Sequence, residues 1–176
     1  MFYMAEIKDV DTIAEIVRET ITSVYPKYYP DGVVEFFLNY HSADSIRDAV
    51  DAGGVYILTV QGKAVATGSI KDNEICRLFV LPLFQGKGLG SYMMDKLETL
   101  VFGYSKEIRL DASLPACGMY LKRGYKPVSF ESVLTTYDHR LCYLILKKQK
   151  ITGPATNETG SEIYCGTRPK TKSRQF

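Results

Sequence analysis

The chain has 176 residues, 45% hydrophobic and 24% charged, the balance of one soluble globular domain rather than of a disordered, collagen-like or low-complexity chain. The formal net charge of +2 is carried entirely by residues 151–176, and the neutral first 150 residues argue against nucleic acid as a partner. No apolar run approaches the ~18 residues of a membrane span, and the opening MFYMAEIKDV lacks a basic and apolar leader, so a cytoplasmic protein with no membrane partner is expected.

Ile13, Ile16, Val17, Ile21 and Val24 recur at helical spacing behind Asp9 or Asp11, which predicts a helix over about 11–24 stopped at Tyr25-Pro26. YPKYYPDG is aromatic and turn-rich. Its tyrosines are expected to be exposed and to line a slot, whereas Phe36 and Phe37 read as core. VVEFFLNY predicts a short helix, and SADSIRDAVDAG another, capped by Ser42 or Ser45 and ended by Gly53. VYILTV, the turn QGK and AVATGSI predict a hairpin, and EICRLFVL a further strand stopped by Pro82. LGSYMMDKLETLV carries Leu89, Tyr92, Met93, Leu97, Leu100 and Val101 at helical spacing. EIRLDA is a short strand, ACGMYLKRGY a short helix ended by Gly124, and KPVSFE and LCYLILK the last two strands.

This order predicts an α/β fold with a mixed central sheet flanked by helices. Strands joined by short loops pair antiparallel, and the crossover through helix 88–101 makes a parallel pair. Residues 1–149 form the expected domain. Residues 150–176, rich in Thr, Gly, Pro and charge, read as a disordered tail.

Cys76, Cys117, Cys142 and Cys165 are scattered, with no CxxC and no histidine at metal spacing, so no metal site is expected. Unclustered cysteines fit a reducing compartment. Cys76 and Cys142 lie in apolar runs and are expected to be buried free thiols.

The segment LFVLPLFQGKGLGSYMMDKLETL carries the chemistry. Glycines at 86, 88 and 90 lead from a strand into an amphipathic helix. The first N–H groups of such a helix have no intrahelical partner, its dipole is positive there, and glycine lets backbone approach a phosphate. Lys87 adds a charge at the mouth. A Walker loop is absent. A dinucleotide fingerprint is a weaker match: Gly86 and Gly88 fit and Asp111 follows at a suitable distance, but Ser91 stands where the last glycine should be.

Gln85-Gly86-Lys87-Gly88-Leu89-Gly90 instead resembles the pyrophosphate loop Gln/Arg-x-x-Gly-x-Gly/Ala of the GNAT superfamily of acyl-CoA N-acyltransferases. The preceding FVLP resembles the family's apolar strand ending in Val-x-Pro. GMYLKRGYKP resembles its Tyr-x-Lys-x-Gly-Phe/Tyr segment, with Tyr120, Lys122, Gly124 and Tyr125. The likeness spans roughly residues 3–149. It implies an antiparallel N-terminal meander, a parallel pair at the fourth and fifth strands, and acetyl-CoA as co-substrate. It also implies that Phe79 and Val80 meet the pantetheine arm, that Gln85, Gly86, Lys87, Gly88, Leu89, Gly90 and Ser91 hold the pyrophosphate, and that Ser113 stands where the family often has a cofactor-binding Asn.

Acyl transfer from a thioester needs a neutral amine, a donor to the developing oxyanion, and a proton for a thiolate whose free pKa is near ~8.5. By resemblance, Val80 supplies the backbone N–H and Tyr120 the acid. Glu74 is the candidate base, with Asp72, Glu35 and a water chain as competitors. The plain alternatives are an ordinary half-buried tyrosine at Tyr120 and a solvated strand end at Glu74, with Arg77 either a group facing the acceptor or a paired charge. His41 reads as a helix cap or a core partner. The acceptor is expected to be a small-molecule amine or a peptide amine, the protein a monomer or homodimer. A CoA- or nucleotide-binding sensor module without catalysis is the alternative.

Overall fold

The computed structural model describes residues 1–151. Its elements are β1 (Phe2–Met4), α1 (Val10–Val24), α2 (Asp31–Tyr40), α3 (Ala43–Asp51), β2 (Val55–Val60), β3 (Lys63–Lys71), β4 (Glu74–Val80), α4 (Leu89–Phe102), β5 (Glu107–Ser113), α5 (Leu114–Lys122), β6 (Lys126–Leu134) and β7 (Arg140–Gln149). All but the first two residues of the expected tail lie outside the described residues.

The seven strands form one sheet in the order β1-β2-β3-β4-β5-β7-β6. Every neighbouring pair is antiparallel except β4 and β5, which run parallel and register at Glu74↔Arg109 alone. The mixed sheet and the parallel pair agree with the sequence reading. Beyond Glu74 the two strands are not laddered to each other, which leaves an opening in the middle of the sheet.

Helices cover both faces. On one face α1, α2 and α3 pack on β2 and the end of β4 through Ile13, Ile16, Val17, Ile21, Val33, Ile46, Ile57 and Phe79. On the other, α4 and α5 pack through Met93, Met94, Leu97, Val101 and Tyr120 on Ile75, Ile108 and Leu110. The α1 stripe follows the predicted period. In α4 the buried stripe is Met93, Met94, Leu97 and Val101, while Tyr92 and Leu100, both expected to face inward, are exposed. Ser42 caps α3, its hydroxyl accepting from the Ser45 N–H at 3.3 Å.

A bulge changes the faces of β4. Cys76 pairs with Ser69 before it and Phe79 with Thr67 after it, so the register slips by one residue around Arg77 and Leu78. Arg77 takes φ of +52°, rare for a residue with a Cβ. Such a slip turns side chains over. Odd-numbered Ile75 packs toward α4, whereas odd-numbered Phe79 packs toward α1 and α2. Glu74, Cys76 and Phe79 therefore share the α1–α2 side.

Two ties fix the elements around the opening. The Gly32 N–H at the start of α2 donates to His139 Nδ1 at 3.1 Å, and a Cβ on Gly32 would stand 2.1 Å from the Thr136 carbonyl oxygen, so only glycine lets α2 reach the β6–β7 connection. On the opposite face, buried Glu98 of α4 accepts from Arg123 at 3.0 Å and from Lys148 at 2.8 Å, which pins α4 to the end of α5 and to β7.

Candidate active site

The opening between β4 and β5 continues into one cavity of about 680 Å³, within the roughly 300–1,000 Å³ of small-molecule sites. One wall is aromatic and comes from α1, α2 and the Tyr25–Tyr28 turn. The floor is β4 from Glu74 to Val80. The other wall is Asp111 and Ser113 of β5, α5 with Met119 and Tyr120, and Val133, Leu141 and Tyr143 of β6 and β7. At one end lie Gln85, Gly86, Gly88, Gly90 and Ser91.

That end is shaped for an anion. Gly88 is the residue before α4 and adopts φ of +79°; Gly86 has +72°. A Cβ built on either would meet nothing within 4 Å, so both present bare backbone to open space. The first turn of α4 holds no acidic side chain, and no side chain caps it. Its leading N–H groups are thus free to donate. Gln85 faces inward, its Nε2 donating to the Val80 carbonyl at 2.8 Å. Lys87 and Leu89 are not on the cavity wall; the Lys87 ammonium lies 5.2 Å from the Phe84 ring centroid.

The backbone of β4 supplies a further donor. The Leu81 N–H donates to the Val65 carbonyl at 2.9 Å, so Leu81 and, two residues back, Phe79 turn their amides toward β3. By alternation Val80 turns its N–H and C=O toward the unladdered edge. Its carbonyl there accepts from Thr20 Oγ1 at 3.2 Å as well as from Gln85.

Tyr120 is buried on the cavity wall, edge-on to Tyr125 at 5.8 Å. Burial pushes its phenol well above the ordinary value, and no described protein group hydrogen-bonds the hydroxyl. Glu74 is half-buried on the floor. Burial, then the nearby Asp111 carboxylate, raises its pKa. Asp111 is itself paired with Arg109 at 3.0 Å. Sequence reasoning named Asp111 only as a dinucleotide ligand and did not place it, or Tyr143, in this cavity. The signal was the alternation of Arg109, Asp111 and Ser113 on one face of β5. The competing base Glu35 is not on the wall, nor is Asp72. Ser113 is on it, its hydroxyl 3.4 Å from the Tyr25 hydroxyl.

Several expectations need correction. Tyr25 and Tyr29 are core residues rather than exposed ones: Tyr25 meets Phe37 edge-on at 4.8 Å, and the Tyr29 hydroxyl accepts from the Leu114 N–H at 2.7 Å. Of the three tyrosines of this turn only Tyr28 is exposed. Tyr25 and Tyr28 do line the cavity. Cys76 and Cys142 are half-buried rather than buried, Cys76 because alternation from the buried Ile75 turns it to the cavity; burial still raises the Cys76 thiol to about 11. Arg77 faces the cavity rather than pairing with an acid: its Nη2 donates to Ser45 Oγ at 2.7 Å, no described carboxylate lies within ion-pair distance, and its Nε is buried without a partner.

His41 ends α2, stacked on Phe37, and its Nδ1 is buried without a partner. Burial first, and the Arg77 cation second, lower its pKa to about 3. In an unfolded chain the imidazole takes a proton near pH ~6.5. Its contribution to stability is therefore full above that pH and is lost as pH falls toward the folded value, by up to about 1.4 kcal/mol per pH unit. Chemical denaturation between pH 7 and 4.5 should show this slope in the parent. It should be absent, by difference, in His41→Phe.

A profile of the acetyltransferase (GNAT) domain matches residues 24–135, more than half of the chain. No curated protein sequence matches it. Among solved structures, a GCN5-related N-acetyltransferase from Rhodopseudomonas palustris superposes with a TM-score of 0.78 at 22% identity, covering 85% of this chain and 94% of that one. A PaiA N-acetyltransferase from Thermoplasma acidophilum, solved in complex with coenzyme A, gives 0.64 at 17% identity, with coverage of 85% and 98%. The ribosomal-protein-S18-alanine N-acetyltransferase from Escherichia coli gives 0.64 at 16% identity, with coverage of 88% and 97%. These likenesses establish the fold, and the profile match establishes the lineage: the chain belongs to the GNAT acetyltransferase family.

Proposed function

We propose that this protein is an N-acetyltransferase that transfers the acetyl group of acetyl-CoA to a primary amine of a small molecule or a peptide by direct attack. One observation carries the reading. A single cavity joins a glycine-lined, acid-free helix N-terminus to a half-buried carboxylate and a buried phenol. The donor set fits the co-substrate: the leading N–H groups of α4, with Gly86 and Gly88 bare beside them, suit a pyrophosphate, and the unladdered edge of β4 suits an amide-bearing arm. Acetyl-CoA, when bound, supplies the acetyl thioester.

The residues then divide the work. The Val80 N–H, facing the open edge, donates to the oxygen that gains charge. Glu74, whose raised pKa makes it a stronger base than an ordinary carboxylate, takes the proton of the amine. Tyr120 stays protonated throughout the working range and donates its hydrogen to the departing sulfur. Cysteines left reduced, Cys76 on the cavity wall among them, fit a cytoplasmic setting.

Release of free thiol from acetyl-CoA with a panel of amines tests the reading. Binding without thiol release would leave a CoA sensor instead. The loop is tested separately by Gly88→Val. At φ of +79° a β-branched residue is strained, and its Cβ enters the space read as the phosphate site. Since no protein atom lies within 4 Å of that Cβ, the variant should stay folded. Acetyl-CoA affinity by calorimetry should fall by about tenfold or more, in proportion to lost charge-assisted bonds. Unchanged affinity would remove the loop from the site.

A further inference from the structure

Resting on the acetyltransfer reading above, we infer that the acceptor is an amino acid with an apolar side chain, its carboxylate met by Arg77, its ammonium by Glu74 and its side chain laid against Phe36 and Tyr40.

Among the described residues, the charged side chains that line the cavity are Glu74, Arg77 and Asp111. Asp111 is answered by Arg109 at 3.0 Å. The other two are not answered. Glu74 is half-buried, and no described lysine or arginine nitrogen comes within ion-pair distance of its carboxylate. Arg77 has no described carboxylate within that distance either. Its Nη2 donates only to neutral oxygens, the Ser45 hydroxyl at 2.7 Å and the Ser45 carbonyl at 3.4 Å, and its Nε is buried without a partner. Nη1 donates to nothing among the described residues and is the part of the head left for a ligand. His41, also on the wall, stays neutral: burial, then the Arg77 cation, lowers its pKa to about 3. The cavity thus holds one unanswered anion and one unanswered cation. A charge withdrawn from water without a partner is costly, and a ligand group of opposite sign relieves it. A zwitterion relieves both. A plain amine answers Glu74 alone, a polyamine brings a second cation toward Arg77, and a peptide carries its carboxylate away from its N-terminal amine.

Glu74 and Arg77 are kept for a ligand rather than for each other. They do not pair, because Ser45 of α3 holds the Arg77 head at the α2–α3 corner, while Glu74 stays at the start of β4. The Ser45 hydroxyl is itself fixed, donating to the Tyr40 carbonyl at 2.9 Å. The pyrophosphate end does not claim Arg77 either, since the glycine loop lies beyond Val80, past the other end of β4. Phe36 and Tyr40 stack at 5.9 Å and 12° as a flat wall, and Val133 and Leu141 stand opposite. Tyr40, through Ser45, brings this wall up to the Arg77 head. One corner therefore receives both the carboxylate and the apolar side chain of a single small molecule.

The test is thiol release by the full chain at saturating acetyl-CoA. The probes are phenylalanine, leucine and methionine, each beside its own amide, then serine, and a peptide with a free N-terminal alanine. An amide keeps the amine and the side chain and loses only the negative charge. Its amine is also the less basic, so chemistry alone favours it over the acid. The best of the apolar amino acids is expected to exceed its amide, serine and the peptide in kcat/KM by about tenfold or more, the worth of one hydrogen bond to a charged group. The parent's choice between acid and amide depends on no variant. Arg77→Asn removes the cation, and asparagine tolerates the φ of +52° there better than most residues, so the fold should hold. In that variant the acid-to-amide ratio should fall about tenfold, toward parity. Amides, serine or the peptide used as well as the apolar acids, or a preference for acids that Arg77→Asn leaves intact, overturns this inference while the acetyltransfer reading stands. Acetyl-CoA binding by calorimetry with no thiol release for any amine overturns both.

Discussion

Tyr120→Phe is expected to lower kcat by about 10²–10⁴ and kcat/KM with it, the loss typical of a missing acid–base group. The substitution removes one oxygen and keeps the ring, so the edge-on contact with Tyr125 and the packing under α5 survive. No described protein group hydrogen-bonds that oxygen, so its removal orphans no partner and thermal stability should barely change. Affinity for acetyl-CoA should hold, because the anion end of the cavity lies on α4 rather than α5. Burial also fixes the pH behaviour. A phenol held above its ordinary value of 10.0 does not titrate in the working range, so neither the parent nor the variant should show a basic limb owed to Tyr120. What limb there is on the acid side belongs to Glu74: activity falls as pH drops through its raised pKa, and Glu74→Gln removes that limb. Stopped-flow thiol release separates the cases. A Phe variant with parental kcat takes Tyr120 out of the mechanism, and one that melts several degrees lower assigns it a structural role.

Much of this site was legible because its parts are written in short, local patterns. The glycine run before α4 and the Tyr-x-Lys-x-Gly-Tyr segment each stand on consecutive residues, and the apolar period of α1 follows from helix geometry alone. The bulge in β4 was not legible. No glycine or proline of β4 marks it, Gly68 falling instead on the partner strand, and the positive φ falls on Arg77. Yet that bulge decides which face the β4 side chains after Cys76 take, and with it the packing of Phe79 toward α1 and α2. The tyrosines of the YPKYYPDG turn misled for a related reason. Flanking prolines read as an exposed loop, but Tyr25 and Tyr29 are inserted between α2 and α5 by contacts from residues far along the chain, Phe37 and Leu114. Asp111 became a cavity residue only through the pairing of β5 with β4. Long-range register, rather than local propensity, was the missing information.

The largest stability effect is expected at Glu98, on the helix that carries the glycine loop. Its carboxylate, 7% exposed, receives Arg123 from the end of α5 and Lys148 from β7, and Arg123 also meets Asp95 at 2.6 Å. Taking these charges out of water is costly, and their mutual attraction offsets that cost only while the set is complete. Glu98→Ala removes the shared acceptor, leaving Arg123 with the exposed Asp95 as its one carboxylate and Lys148 partly buried with no carboxylate partner among the described residues. The expected loss is about 3–5 kcal/mol, a large part of the roughly 5–15 kcal/mol that holds a domain together, and on the order of 10 °C in Tm. Glu98→Gln keeps an oxygen for one donor and should lose less. Glu98→Ala with Lys148→Met removes one stranded cation and should recover part of the loss, an outcome a cavity alone does not predict. Because Arg123 follows α5 directly and Tyr120 lies one turn before it, the single Ala variant should also lose activity at temperatures where it is still folded. Denaturant unfolding of the four proteins decides the matter: Ala and parent within about 0.5 kcal/mol of each other would mean that Arg123 and Lys148 reach solvent on their own, and that α4 is held to α5 by apolar packing alone.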